Sequence, residues 1–187
     1  MAEPTYLVID GENIDATLGM SVLGHRPEPE ERPRWDRVLA YADESYTEDA
    51  KGLFFLNASS GHLPMGFVQA LMAMEYTPIP LSSTHAEDKV VDLGIQRMLE
   101  AISQRGRGNV ILGSHDGDFE PQVAQLLRNG HRVSVLCFPE FLSLELAQLA
   151  HEGLEIVDLE HEVGAFQVSL PRLRIIPIEQ FDPQDYL

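Results

Sequence analysis

Cysteine is almost absent from this chain of 187 residues. The single Cys137 excludes an internal disulfide, and its place inside the apolar run Val133-Ser-Val-Leu-Cys-Phe138 reads as a buried, inert thiol rather than a nucleophile. Lysine is nearly as scarce, and the 13 basic residues face 30 acidic ones for a net charge of −17. That deficit excludes a broad electrostatic grip on a polyanion, so any contact with nucleic acid has to be local. Long hydrophobic runs are missing as well: nothing approaches the ~20 apolar residues of a spanning helix. The opening Met-Ala-Glu-Pro-Thr lacks the basic stretch of a secretory signal. A cytoplasmic protein with no membrane partner is expected.

What is present is enough apolar residue, 44%, to bury one sizeable core, and one domain is the expectation at this length. Short β-branched or apolar runs alternate with longer segments of helical period, the pattern of a parallel sheet covered by helices on both faces. Strands are expected at 6–9, 52–56, 77–81, 110–112, 132–137 and 154–157. Helices are expected over roughly 34–45, 62–75, 85–104, 119–129 and 142–151. Pro78 and Pro80 remove ladder donors from the third strand and so place it at a sheet edge. Residues 24–34 hold three prolines among mixed charges and read as an irregular loop. Arg26, Arg32, Arg34 and Arg37 fall in or beside it, as either a local phosphate-binding patch or a solvated surface. Following the first strand, this loop lies where open α/β sheets bind ligands. Residues 1–160 account for the βα units. The extension 161–187, with strand-like patches around 168–170 and 173–178, is expected to cover a sheet edge or to pair with a partner, a second copy included.

Three places carry chemistry. The first strand runs Tyr6-Leu-Val-Ile-Asp-Gly-Glu-Asn13, which puts the carboxylate of Asp10 at the carboxyl end of a buried strand. Gly11 permits a sharp turn, and Asn13 either fixes that turn or meets a phosphate oxygen. The fourth strand runs into Gly113-Ser-His-Asp-Gly-Asp-Phe119. Here Asp116 and Asp118, two residues apart, suit a hard divalent cation such as Mg2+ or Mn2+, although Asp118 can also be read as a simple helix cap. Ser114 either binds phosphate or braces the loop. The third place is the helix opened by Thr84-His-Ala-Glu87, a capping-box sequence. Along it Val91, Ile95, Met98, Leu99 and Ile102 form one apolar stripe, and Asp92 borders it, about 20° from Leu99 at ~100° per residue. A carboxylate there needs coordination or hydrogen bonding. Strands one and four are neighbours in a doubly wound sheet, so the four aspartates converge on its switch point.

These residues resemble a known family. Val8-Ile-Asp-Gly-Glu-Asn13, Lys89-Val-Val-Asp92 and Gly113-Ser-His-Asp-Gly-Asp-Phe119 look like the three signatures of the NYN domains, PIN-like ribonucleases related to the flap-endonuclease superfamily, in order over residues 5–158. The resemblance implies a three-layer α/β/α fold with strand order 3-2-1-4-5. It also implies a metal site of Asp10, Asp92, Asp116 and Asp118, with Asn13 and Lys89 near the substrate. Two positions depart from the family: His115 stands in place of a loop glycine, and Met98 in place of a second helical aspartate.

The expectation is therefore a ribonuclease in which one or two Mg2+ or Mn2+ ions activate a water for in-line attack on an RNA phosphodiester. Arginines of 26–37 would hold flanking nucleotides, and Trp35 or Phe119 would either stack bases or serve the core. A catalytically weak member that grips RNA or a protein is one alternative. An aspartyl phosphatase of the haloacid dehalogenase type is another, although Glu12 stands where that class wants an aspartate.

Overall fold

Strand residues that alternate between two apolar faces build a sheet that must be covered twice. In a computed structural model that describes residues 3–46, 49–85, 89–172 and 176–187, six parallel strands lie in the order β3-β2-β1-β4-β5-β6. They are β1 (Thr5–Asp10), β2 (Ala50–Asn57), β3 (Thr77–Leu81), β4 (Asn109–Gly113), β5 (Val133–Cys137) and β6 (Glu155–Asp158). The order continues the expected 3-2-1-4-5 by one strand. Proline-bearing β3 lies at one edge, where its missing donors cost no ladder bond.

The helices are α1 (Gly11–Thr17), α2 (Trp35–Ser45), α3 (Met65–Ala73), α4 (Val90–Arg105), α5 (Glu120–Arg128) and α6 (Leu144–Gln148). One sheet face sends Val8, Leu53, Phe55, Val110, Leu112, Val133 and Val135 into a core closed by Ile95, Leu99 and Ile102 of α4 and Val123 and Leu126 of α5. The other sends Leu7, Ile9, Phe54, Leu56, Ile111 and Leu136 against Trp35, Val38 and Leu39 of α2 and Val68 and Leu71 of α3. Each such side chain, fully buried, contributes about 1.5–3 kcal/mol, so both layers are held strongly. Cys137 is buried in the first core, and burial pushes its thiol up to about 12, well beyond reactivity at neutral pH.

Three expectations are corrected. No helix is foreseen after the first strand, yet α1 starts directly at Gly11 and runs into a π-helical stretch, Leu18–Leu23, ended by Gly24 at φ 76°. Gly11 serves close packing rather than a turn, because a Cβ there would lie 2.5 Å from the Phe54 ring. The helix expected over 85–104 begins at Val90, with Lys89 rather than Thr84 at the cap position. The expected cap partner Glu87, and Asp88, lie outside the described residues. In the C-terminal extension, Val168–Leu170 forms no strand and Ile178–Gln180 is a 3-10 turn, while Leu173, Arg174 and Ile175 lie outside the described residues. Within the extension, Ala165 is buried in the second core and Leu170 in a small cluster with Leu18 and Phe138. No described helix is long and apolar enough to cross a membrane.

Candidate metal centre

Parallel strands deliver their last residues to one edge, and both β1 and β4 end there in polar chain. Asp10 closes β1 with 2% of its surface exposed. Ser114, fully buried just past β4, donates its hydroxyl to Asp10 Oδ2 at 3.0 Å and accepts the Asp116 N–H at 3.1 Å. Its donor and one of its acceptor lone pairs are thus engaged within the site, and Ser114 has the geometry of a brace. Burial lifts the Asp10 carboxyl from 3.8 to about 7. The Ser114 hydroxyl and the Asn13 backbone amide oppose that rise, and the charges of Asp92 and Asp116 add to it.

Three further carboxylates stand beside it. Asp92 of α4, Asp116 and Asp118 each present an oxygen, and the three lie within 4.8 Å of one another. Asp116 caps a 3-10 turn, Gly117–Phe119, by accepting the Asp118 N–H at 2.9 Å; this, not Asp118, is the cap of the segment that leads into α5. Because α4 starts late, Asp92 falls in its first turn, where the free amides favour a carboxylate. Burial nonetheless raises its pKa, as do Asp116, Asp118 and Glu12, with Lys89 opposing them. Asp10 is outside the three-oxygen group but feels the same field.

The one cation at the cluster, among the described residues, is Lys89. Its exposed ammonium sits 3.5 Å from Asp118 Oδ2 and 3.9 Å from Asp92 Oδ2, and those charges raise its own pKa. Asn13 has turned inward: its Oδ1 accepts the His115 backbone N–H at 2.8 Å and meets the ring Nδ1 at 3.1 Å. His115 Nε2 accepts the Phe138 N–H at 2.8 Å, so Nδ1 carries the proton and donates it to Asn13. Burial holds this imidazole neutral, at about 4. With both nitrogens occupied, His115 is a strut between α1 and the end of β5, not a ligand. Its ring stacks on Phe138, which stacks on Phe166 and lies under the Arg172 guanidinium, tying the C-terminal extension to the back of the loop.

Met98 faces elsewhere, packing against the first core between α4 and β3. The α4 side chain that does reach the loop is Gln96, one turn past Asp92, which donates to the Asp118 carbonyl at 3.2 Å. Neither Gln96 nor Glu12 is anticipated from the sequence. The i+4 spacing from Asp92 is the signal for the first, and nothing local marks the second. Of the four loop arginines, Arg32 pairs with Asp15 at 2.9 Å and Arg34 with Asp36 at 2.9 Å. Arg37 donates to the carbonyls of Gly164 and Phe166. The side chain of Arg26 alone of the four has no partner among the described residues. Phe119 is wholly buried, whereas Trp35 is 8% exposed.

The profile of the family described as NYN domain matches residues 4–156. Among solved structures, a protein of unknown function from Vibrio parahaemolyticus is similar, with 19% identity and a TM-score of 0.66 over 86% of this chain and 95% of that one. At that identity the likeness is one of fold. No curated protein matches the chain.

Proposed function

Because the chain belongs to the NYN domain family of PIN-like nucleases, we propose that it is a metal-dependent ribonuclease, with Asp92, Asp116 and Asp118 holding Mg2+ or Mn2+ and Asp10 completing the site behind them. The observation that supports this most is the convergence of three carboxylate oxygens within 4.8 Å, beside a fourth carboxyl held partly protonated near neutral pH. The donor set fits the ion. All donors are hard oxygens, and trans ligands of an octahedral ion with ~2.1 Å bonds stand ~4.2 Å apart, so a small inward movement of the exposed Asp118 closes the group. The cluster has one nearby cation in Lys89 and accumulates more negative charge than that lysine neutralises.

When bound, a divalent ion supplies a water of lowered pKa and charge to offset that developing on the phosphate. The chain's residues set the frame. Ser114 and the Asn13 amide hold Asp10 in place, and Asn13 with His115 fixes the loop that carries Asp116. Gln96 ties α4 to the Asp118 turn, and Lys89 at the rim can leave the carboxylates for a phosphate oxygen of RNA.

The same Lys89 contact, with a net charge of −17, favours a second reading in which the domain binds RNA or a protein without cutting it. An aspartyl phosphatase is disfavoured, since a carboxyl 2% exposed and partly protonated near neutral pH is a poor nucleophile. The deciding experiment compares end-labelled single-stranded RNA incubated in Mn2+ with the wild type and with Asp116→Asn, a change that keeps an acceptor for the Asp118 N–H while removing the charge. Cleavage by the wild type that falls at least a hundredfold in the variant is expected. RNA equally intact with both proteins removes the nuclease reading in favour of the binding module.

A further inference from the structure

A cavity of about 470 Å3 opens at the carboxyl ends of β1 and β2, on the α2 and α3 side of the sheet. It shares Gly11, the neighbour of Asp10, and Glu12, whose charge is felt at Asp92. The cavity therefore adjoins the acidic cluster, with the first turn of α1 between them. Strand ends beside a switch point are where ligands of such sheets bind.

Its walls are aromatic. Trp35 meets Phe54 edge to face at 5.0 Å and 83°, and Phe54 meets Phe67 at 5.4 Å and 80°. Trp35 and Phe54 are locked into the core, whereas Phe67 is only half-buried and stands with Pro64 at the mouth. The rim is polar. Asn57 ends β2 with its Oδ1 accepting the Ser59 N–H at 2.9 Å, which leaves its amide NH2 without a partner among the described residues. Glu12 and Asp15 are balanced by Arg26 and Arg32, so the lining is neutral in a chain of net charge −17. A flat, uncharged, hydrogen-bonding ring suits these walls, and the free guanidinium of Arg26 suits the phosphate attached to such a ring.

We propose that this cavity is a nucleobase subsite: it takes one base of an RNA strand between Phe67 and Asn57, with Arg26 on the adjoining phosphate, while a neighbouring phosphodiester lies at the aspartates. This assignment rests on the ribonuclease reading of the aspartate cluster, and it names the part of the substrate that the cluster does not hold. It also gives a function to the arginine of the 26–37 stretch whose side chain has no partner among the described residues.

Trp35 is the only tryptophan, so intrinsic fluorescence, excited beyond the nucleotide absorption band, reports from the cavity wall. Metal-free protein in EDTA is titrated with each of the four ribonucleoside 5′-monophosphates. Saturable quenching by at least one of them is expected. Its midpoint should weaken in Arg26→Ala and Asn57→Ala, both exposed positions that leave the fold intact. It should also weaken about 5- to 150-fold in Phe67→Leu, the range of a lost base–aromatic stack. No saturable quenching by any nucleotide, or quenching that all three variants leave unchanged, overturns the proposal. The two readings separate cleanly. RNA cleavage without quenching removes the subsite alone, and quenching without cleavage keeps the subsite and removes the nuclease.

Discussion

Replacing Asp10 by asparagine separates what this residue costs the fold from what it does in the site. Burial is the main force lifting its carboxyl from 3.8 to about 7. A proton in the native protein is therefore held much more tightly than in the unfolded chain. Below pH ~4 both states are protonated and above pH ~7 both are ionised. Between those limits the native state carries the extra proton, so stability falls as pH rises through the window. At 1.36 kcal/mol per pH unit the ionised native form is worse off by about 4 kcal/mol. The substituted asparagine would keep an acceptor for Ser114, but its NH2 gains no evident partner, a loss of about 1–1.5 kcal/mol. At pH ~8 in EDTA, Asp10→Asn should thus exceed the wild type by about 2–3 kcal/mol, or roughly 5–10 °C in melting temperature at this chain length. At pH ~5 the wild type holds its proton and the difference should nearly vanish. Mn2+ should raise the wild-type melting temperature more at pH ~8 than at pH ~6, because binding displaces the Asp10 proton, and should raise that of the variant less. RNA cleavage should be lost in the variant despite its greater stability. Paired thermal melts at the two pH values test this. A variant no more stable at pH ~8, or a gain that persists undiminished at pH ~5, would falsify the assignment of Asp10 as a buried, strained carboxyl.

Two further substitutions probe the neighbours. Lys89→Ala removes the ammonium lying 3.5 Å from Asp118 and 3.9 Å from Asp92, so Mn2+ should bind a few-fold tighter while the KM for RNA rises; unchanged or weaker Mn2+ binding by calorimetry would show that Lys89 is not the counter-ion of the cluster. His115→Ala strips the buried Phe138 N–H of its acceptor and Asn13 of a donor, at a cost of about 2–4 kcal/mol. Denaturant unfolding should show that loss, and the electron-spin spectrum of bound Mn2+ in the wild type should carry no nitrogen coupling; a nitrogen signal that disappears in the variant would make His115 a ligand instead.

The parts of the fold legible in the sequence are short, nearly continuous apolar runs, because a parallel strand covered on both faces has to be apolar on both. β1, β2, β4 and β5 are such runs, and the prolines of β3 also report its edge position. What stays hidden is α1. Ile14 is its one buried residue, the π-helical stretch after Thr17 breaks the 3.6 period, and Gly11 mimics a turn. The start of α4 misleads for another reason. Thr84 and Glu87 have the spacing of a capping box, but the buried pair Val90 and Val91 draws the first turn into the core five residues later.

That shift changes what the aspartates imply. Read from the sequence, Asp92 is a carboxylate at the edge of an apolar stripe with nothing to excuse it. In the structure it occupies the first turn of α4, where the helix dipole partly does, so its position alone argues less for an ion than the sequence suggests. Asp10 moves the opposite way. It is more deeply buried than a strand-end residue needs to be, and its two hydrogen-bond donors do not overcome the cost of its charge. A fold does not retain such a carboxyl for stability, because asparagine in the same place would serve the fold better. The case for a cation therefore rests on Asp10 being tolerated beside three convergent carboxylate oxygens, a relation between β1, α4 and the β4–α5 loop that no single stretch of sequence contains. The residues that maintain it, Ser114, Asn13, His115 and Gln96, are legible only once the strands are side by side, since each acts through a partner 22 or more positions away.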